Sequence, residues 1–246
     1  MASLKKEISR KVGKAIHDYQ LLCHGDRILA AVSGGEDSSL MLYMLHEWRK
    51  KAPINYDLVA VYLDMGFVSL TQQALYPYLG SFGLSFHVEK TDFGVVAHTS
   101  FNRENSPCFL CSHLRRKRLF EIADAFGCNK IALGHNMDDL IETFFINVCN
   151  AGEMSTMMPR QEMFGGKITL IRPLAFVQKD KISRYVKRLG LPRVENRCPS
   201  SSQSSRRHIR ELLNSFYQKN PKARSNIFRA LSHIRAEYLL DQRLQV

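Results

Sequence analysis

The sequence predicts an α/β fold: a parallel β-sheet with helices on both faces, followed by C-terminal helices. Three observations carry this. Apolar runs of strand length recur at Ile28 to Val32, Leu58 to Leu63, Leu84 to Val88, Lys130 to Leu133 and Ile168 to Ile171. Runs that are apolar throughout, rather than alternating, belong to strands buried on both faces. Amphipathic helical patterns lie between several of them, the order expected of crossover connections in a parallel sheet. After Cys198 the strand pattern stops, and a Ser-rich stretch gives way to basic, helical sequence.

The elements follow in order. Lys5 to Leu22 reads as an N-terminal helix leading to the first strand. After that strand come Ser33-Gly34-Gly35-Glu36-Asp37-Ser38 and an amphipathic run, Leu40 to Trp48. One later helix gathers Leu119, Ile122, Ala123 and Phe126 on a single face, and another gathers Ile141, Phe144, Phe145 and Val148. A third carries Ile182, Tyr185, Val186 and Leu189 and stops at Gly190, a natural C-cap. Pro199 to Ser205 is a loop, and two helical patterns follow, Arg206 to Tyr217 and Lys222 to Arg243. The expected organisation is an N-terminal helix (1–26), an α/β domain (27–198) and a basic helical extension (199–246). The terminal helices either pack on the sheet domain or form the seam of a homodimer.

The chain has 246 residues, 45% of them hydrophobic, enough to bury one substantial core. No apolar stretch approaches the roughly 20 residues that span a bilayer, and Met1 to Lys6 lacks the apolar segment of a signal peptide. A cytoplasmic protein with no membrane association is expected. Six cysteines in such a chain argue for metal or redox chemistry rather than a disulfide framework. The net charge of +12 is concentrated: residues 179–246 hold 16 Lys/Arg against 5 Asp/Glu, whereas residues 1–178 hold 19 against 18. Lys179, Lys181, Arg184, Lys187, Arg188, Arg193, Arg197, Arg206, Arg207 and Arg210 form its densest part. A localised surplus of this size suits a polyanion such as RNA, or is a solvated basic face.

Ser33 to Ser38 is the most informative segment. Its two glycines let the backbone approach an anion closely, and the N–H groups opening the next helix direct partial positive charge at it. Ser33 and Ser38 add hydroxyl donors. The alternative is an ordinary strand-to-helix turn with an Asp/Ser cap. In parallel sheets ligands collect beyond the carboxyl ends of the strands. Asp64 and Gly134-His135-Asn136-Met137-Asp138-Asp139 stand at two further strand ends, so one crevice can receive all three groups.

Ser-Gly-Gly-x-Asp-Ser after a strand resembles the signature of the PP-loop ATP pyrophosphatases. That resemblance implies cleavage of ATP between the α and β phosphates, with adenylation of a substrate and release of pyrophosphate.

Cys108-Phe109-Leu110-Cys111 is a C-x-x-C pair, and Cys198 lies 87 residues beyond Cys111. Two cysteines at this spacing can turn both thiolates toward one metal centre. Alone, the pair fits a thioredoxin-like redox site, half of a zinc site, or two incidental thiols. Its surroundings add to it. Cys108 to Arg118 runs into a helix, then Lys130 to Leu133, then Gly134 to Asp139, with Ile171-Arg172-Pro173-Leu174 and Glu195-Asn196-Arg197-Cys198-Pro199 later. In this order, with the Ser-Gly-Gly loop, the segments closely resemble the 2-thiocytidine tRNA biosynthesis branch of the PP-loop superfamily, from about Arg27 to Leu213.

The resemblance implies a Rossmann-like nucleotide-binding domain of the HUP (adenine nucleotide alpha hydrolase-like) class. It implies a [4Fe-4S] cluster held by Cys108, Cys111 and Cys198 with one iron free of protein ligand, and ATP with Mg2+ as cofactors. The implied partners are tRNA and a sulfur donor, either a cysteine desulfurase or free sulfide. The activity would be ATP-dependent replacement of the C2 oxygen of a cytidine by sulfur. Ser33, Gly34, Gly35, Asp37 and Ser38 match the pyrophosphate-binding loop. Asp64 is placed to contact the nucleoside, or is a turn residue. Gly134 permits close approach of the nucleotide. Asp139 matches a carboxylate for Mg2+ coordination or proton transfer, whereas Asp138 suits helix capping better. Arg115 matches a basic position near the cluster that stabilises phosphate charge, with Arg116, Lys117 and Arg118 solvated or RNA-facing. Cys23, Cys128 and Cys149 stand alone in apolar contexts, as small buried hydrophobes.

One position departs from the pattern. The 2-thiocytidine branch usually has Lys where this chain has Glu36, so a negative charge replaces a positive one beside the phosphates. Three other readings compete: a 2-thiouridine synthase, whose extra zinc-binding C-x-x-C pairs are missing here; lysidine synthetase, which does not use the cysteine triad; and a non-catalytic RNA-binding protein stabilised by zinc, with His113 as fourth ligand.

Overall fold

The computed structural model describes residues 2–67, 71–100, 102, 106–192, 198–202 and 205–240. Arg193, Arg197, the Glu195-Asn196-Arg197 stretch and the expected helix end at Arg243 lie outside the described residues. By its internal contacts the chain divides into two compact units, residues 1–138 with 158–204, and residues 139–157 with 205–246.

The first unit contains the whole sheet, with strands β1 (Arg27–Val32), β2 (Asp57–Asp64), β3 (Ser85–Lys90), β4 (Lys130–Ala132), β5 (Arg160–Met163) and β6 (Ile168–Ile171) in the order β3-β2-β1-β4-β6-β5. The first four neighbouring pairs are parallel and β5 runs antiparallel to β6. The all-parallel expectation is therefore corrected at one edge. Arg160-Gln161-Glu162-Met163 is partly exposed and has no apolar run to betray it. Without β5, the order is that of a doubly wound nucleotide-binding sheet, whose topological switch point falls between β1 and β4.

Both faces are covered, as the unbroken apolar runs require. Ile28, Ala30 and Val32 of β1 and Leu58, Ala60 and Tyr62 of β2 face one core, which holds side chains of helices α1 (Ala2–Asp18), α2 (Glu36–Arg49), α3 (Thr71–Gly80) and α7 (Lys179–Leu189). The alternate residues Leu29, Val59, Val61 and Leu63 face a second core with Leu119, Ile122 and Ala123 of α5 (Pro107–Ala125). A short α4 (Phe93–Ala97) precedes α5.

Helix α1 ends at Asp18 rather than Leu22. Gln20 takes a left-handed backbone (φ 48°) and the Leu21 amide reaches back to the Ile16 carbonyl at 3.0 Å, a Schellman stop that buries Leu21. Helix α7 ends at Gly190 (φ 63°), as its sequence predicts.

Below the sheet's other end, Asp26 and Lys130 form a buried ion pair at 2.7 Å, 4% and 7% exposed. Asp26 also accepts the Cys23 amide (2.6 Å) and the Asn129 side-chain amide (2.9 Å), and Lys130 donates to the Leu21 carbonyl (3.0 Å). Removing one partner strands the other charge away from water. Asp26→Ala is expected to cost about 3–5 kcal/mol of unfolding free energy in urea denaturation.

In the second unit, α6 (Met137–Ile146, from its third residue on) continues into one π-helical turn, Asn147–Ala151, closed by Gly152 at φ 67°. Helices α8 (Ser205–Lys219) and α9 (Ala223–Ala230) follow. The second helix is shorter than its pattern suggested. The Ser232 hydroxyl and amide both bond the Arg229 carbonyl, a local turn that competes with continued helix.

Candidate functional site: a phosphate loop and a cysteine triad

The loop 33–38 leaves the carboxyl end of β1 and opens α2. Gly34 has φ 80°, and Gly35 is the N-cap, with no side chain to occupy the first-turn amides. Ser38 closes the loop. Its hydroxyl donates to the Gly35 carbonyl (3.0 Å) and accepts the Ser33 amide (3.0 Å), and it lies 3.1 Å from the Ser33 hydroxyl. This uncapped helix start, with a left-handed glycine before it, is an anion-binding arrangement.

Gly134 lies two residues beyond β4, whose Ala132 pairs with Ala30 of β1. A Cβ added there would stand 2.8 Å from the Ser38 amide nitrogen, 2.9 Å from its Cα and 3.0 Å from the Asp37 carbonyl carbon. The backbone after β4 thus presses directly on the first turn of α2. Asn136, 2% exposed, joins the two: its amide donates to Asp37 Oδ1 at 3.2 Å and its oxygen accepts the Asp138 amide at 2.9 Å. Asp37 Oδ2 accepts from Lys179 Nζ at 2.7 Å, and the same ammonium is 3.3 Å from Glu36. Asp138 is a capping residue, but of α7: its carboxylate accepts the Lys179 amide at 2.7 Å.

Asp64 ends β2, beside β1. Its carboxylate accepts the Gly66 amide at 3.0 Å while its carbonyl takes the Thr91 amide and hydroxyl, so a turn role is met at the same strand end as the loop. Asp139 belongs to the second unit. There it lies 3.7 Å from Arg206, which is equally far from Glu142. Glu142 is 4% exposed and is gripped by Arg210 at 2.6 and 3.0 Å. Arg207 pairs with Glu211 at 2.8 Å. Three arginines expected in the polyanion-facing surface are thus engaged by carboxylates of their own unit. Likewise Arg118 forks onto Glu89 (2.7 and 2.9 Å) and holds that carboxyl below the usual carboxylate range.

Cys108, Cys111 and Cys198 all belong to the first unit. Cys108 and Cys111 are the second and fifth residues of α5, behind a Ser106 N-cap that accepts the Phe109 amide at 3.2 Å, with Pro107 as the first helical residue. Cys198 directly precedes a 3-10 turn, Pro199–Ser202. Charge at Cys198 bears on both thiols of the C-x-x-C pair. Burial lifts the Cys111 thiol above its usual range, Arg115 opposes this, and thiolates at Cys198 and Cys108 add to it. Desolvation and then Cys198 lift Cys108. A metal centre that binds these cysteines must displace their protons. Among the described residues no three His, Cys, Asp or Glu side chains form a cage for a single metal ion. His113 lies parallel to the Phe109 ring, centroids 6.5 Å apart.

His98 lies in no recognisable motif. Its Nδ1 donates to the Gly94 carbonyl at 2.7 Å, so Nε2 faces Ser200 Oγ at 2.7 Å and Cys198 Sγ at 3.9 Å. Of the isolated cysteines, Cys128 is buried as expected, but Cys23 and Cys149 are exposed. Their apolar sequence neighbours point elsewhere.

The model of the PP-loop domain matches residues 4–216 of this chain. The chain belongs to the PP-loop family. Curated relatives include the tRNA-cytidine(32) 2-sulfurtransferase of Pelobacter propionicus, 37% identical over 98% of this chain and 91% of the relative. The same enzyme of Geobacter sulfurreducens is 36% identical over 98% and 94%. Among solved structures, the U34-tRNA thiolase NcsA of Methanococcus maripaludis with its [4Fe-4S] cluster aligns with a TM-score of 0.76 at 24% identity, over 95% of this chain and 80% of that one. The NH3-dependent NAD synthetase of Campylobacter jejuni aligns at 0.52 and 14% identity, over 93% and 91%. Both share the PP-loop fold of this chain. Among the described residues no helix is long and apolar enough to cross a membrane.

Proposed function

We propose that this chain is an ATP-dependent tRNA sulfurtransferase that adenylates the C2 oxygen of a cytidine and replaces it with sulfur. The observation that carries this reading is the presence, in one unit, of an uncapped phosphate loop and of Cys108, Cys111 and Cys198, the last two 87 residues apart in sequence. Whole-length relatives named tRNA-cytidine(32) 2-sulfurtransferase support the substrate and point to nucleotide 32.

The chemistry explains why both parts are needed. Oxide is a very poor leaving group, whereas AMP is a good one. Attack of the base oxygen on the α phosphate expels pyrophosphate, and a sulfur nucleophile then displaces AMP. Ser33, Gly34, Gly35 and Ser38 would hold the departing pyrophosphate through backbone amides and hydroxyls, with Asp37 on its Mg2+. Gly134 lets the segment after β4 lie against the loop that would hold the nucleotide, and Asp64 would border it. Asp139 is assigned to Mg2+ or proton transfer.

The donor set fits an iron-sulfur cluster: three free thiols, two of them near the start of α5, with His98 already hydrogen-bonded at both ring nitrogens. Cys108, Cys111 and Cys198 would hold it. When bound, a cluster with three protein thiolates offers one iron to a sulfur atom. Arg115 beside Cys111 would stabilise negative charge there.

The chain is proposed to consist of an N-terminal helix (1–26), a catalytic domain (27–198) and a basic extension (199–246), in the cytoplasm. Since Arg206, Arg207 and Arg210 are paired internally, RNA contact is assigned to exposed cations such as Arg184 and Lys187 of α7. Replacing both by Ala is expected to weaken tRNA binding and to flatten the dependence of log affinity on log salt by roughly 0.7 to 0.9 per lost phosphate contact. Filter binding over a salt series measures it.

Anaerobically reconstituted protein given tRNA, MgATP and sulfide tests the function. Nucleoside mass spectrometry should find 2-thiocytidine, and chromatography should find AMP. Production of 2-thiouridine, or of ADP and phosphate, contradicts the proposal.

A further inference from the structure

The phosphate loop brings two carboxylates, Glu36 and Asp37, to the first turn of α2 and no cation of its own. Facing a triphosphate, that pair would repel the ligand that the uncapped amides attract. The structure supplies the missing charge from a different element. Lys179 Nζ lies 2.7 Å from Asp37 Oδ2 and 3.3 Å from Glu36 Oε2.

Its position is built in. The Lys179 amide is held by Asp138, the residue two beyond Asn136, and Asn136 itself holds Asp37. One turn further along α7, the Ser183 hydroxyl donates to Glu36 Oε2 at 2.6 Å. Tyr43 of α2 packs edge-on against Tyr185 of α7, ring centroids 6.3 Å apart, so the two helices are packed together along their middles. Yet the Lys179 side chain is 41% exposed, against 13% for Glu36. Two of the ammonium's three N–H groups satisfy the carboxylates, and the third can meet a phosphate oxygen.

We propose that Lys179 is the phosphate-binding lysine of this site, delivered from the start of α7 in place of a lysine within the loop. It neutralises the Glu36–Asp37 pair and contacts the departing pyrophosphate of ATP. The long separation in sequence, 142 residues from Asp37, hides it among the basic residues of the C-terminal quarter. This inference rests on the ATP reading above.

Calorimetric titration of the full chain with MgATP, Mg-pyrophosphate and adenosine separates the two. Lys179→Met should weaken MgATP and pyrophosphate binding by about tenfold or more while adenosine binding stays as in wild type. The exchanged variant Glu36→Lys/Lys179→Glu, which keeps the net charge and the ion pair, should regain MgATP affinity to within about threefold of wild type. Unchanged MgATP affinity in Lys179→Met, an equal loss of adenosine binding, or no recovery in the exchanged variant would overturn the role of Lys179. Wild-type protein that binds neither MgATP nor pyrophosphate would overturn the ATP reading instead.

Discussion

Replacing Cys108, Cys111 or Cys198 by alanine is expected to strip the protein of iron and sulfide and to abolish thiolation. The three thiols come from the start of α5 and from the segment before the 3-10 turn at Pro199, and charge at Cys198 bears on both members of the C-x-x-C pair. A cluster held by three protein ligands has none to spare, so losing one thiolate leaves the metal centre open to solvent and dissociation. The remaining cysteines serve as internal controls. Cys23→Ala and Cys149→Ala change exposed side chains, and Cys128→Ala removes one sulfur from the core beneath α5. All three should keep full iron content, with Cys128→Ala losing some stability. Iron and acid-labile sulfide analysis after anaerobic reconstitution reads the result. Full iron in Cys198→Ala would show that the C-x-x-C pair and Cys198 do not share a centre.

Gly134→Ala is expected to weaken ATP binding strongly without touching the cluster. The added methyl would meet backbone atoms of Ser38 and Asp37 at 3.0 Å or less, and backbone has no rotamer to relieve the contact. Either the strand-end segment after β4 or the first turn of α2 must move, and both carry groups that set the loop: Asn136 on one side, Ser38 on the other. A shift of several tenths of an ångström in aligned amide donors should lower MgATP affinity by at least about tenfold, or 1.4 kcal/mol. The iron content should match wild type. Wild-type MgATP affinity in Gly134→Ala would mean that the close approach of the two segments does not shape the site.

Much of the fold was legible because its signals are local. Strands β1, β2 and β6 fall within a residue of their apolar runs, and Gly190 stops α7 where its left-handed conformation demands. Strand β5 was not legible, since Arg160 to Met163 is an edge strand recruited by β6, with tertiary pairing overriding a polar sequence. The site divides the same way. Ser33 to Ser38, Gly134 and the C-x-x-C pair announce themselves by residue type and spacing. Lys179, Asn136 and His98 act through partners 142, 99 and 100 residues away, and no spacing rule reaches that far. The basic quarter misled in part for a related reason. Composition counts Arg206 and Arg210 as surplus, whereas the fold sets both against the buried carboxylate of Glu142.

In the proposed reaction ATP activates the base oxygen itself. Transcribed tRNA carrying heavy oxygen at C2 of its cytidines, incubated with reconstituted protein, ATP and sulfide, tests this directly by mass spectrometry of the released nucleotide. Heavy oxygen should appear in AMP, in amount equal to the 2-thiocytidine formed. AMP free of the label, with the label left in the tRNA or released to water, would contradict it.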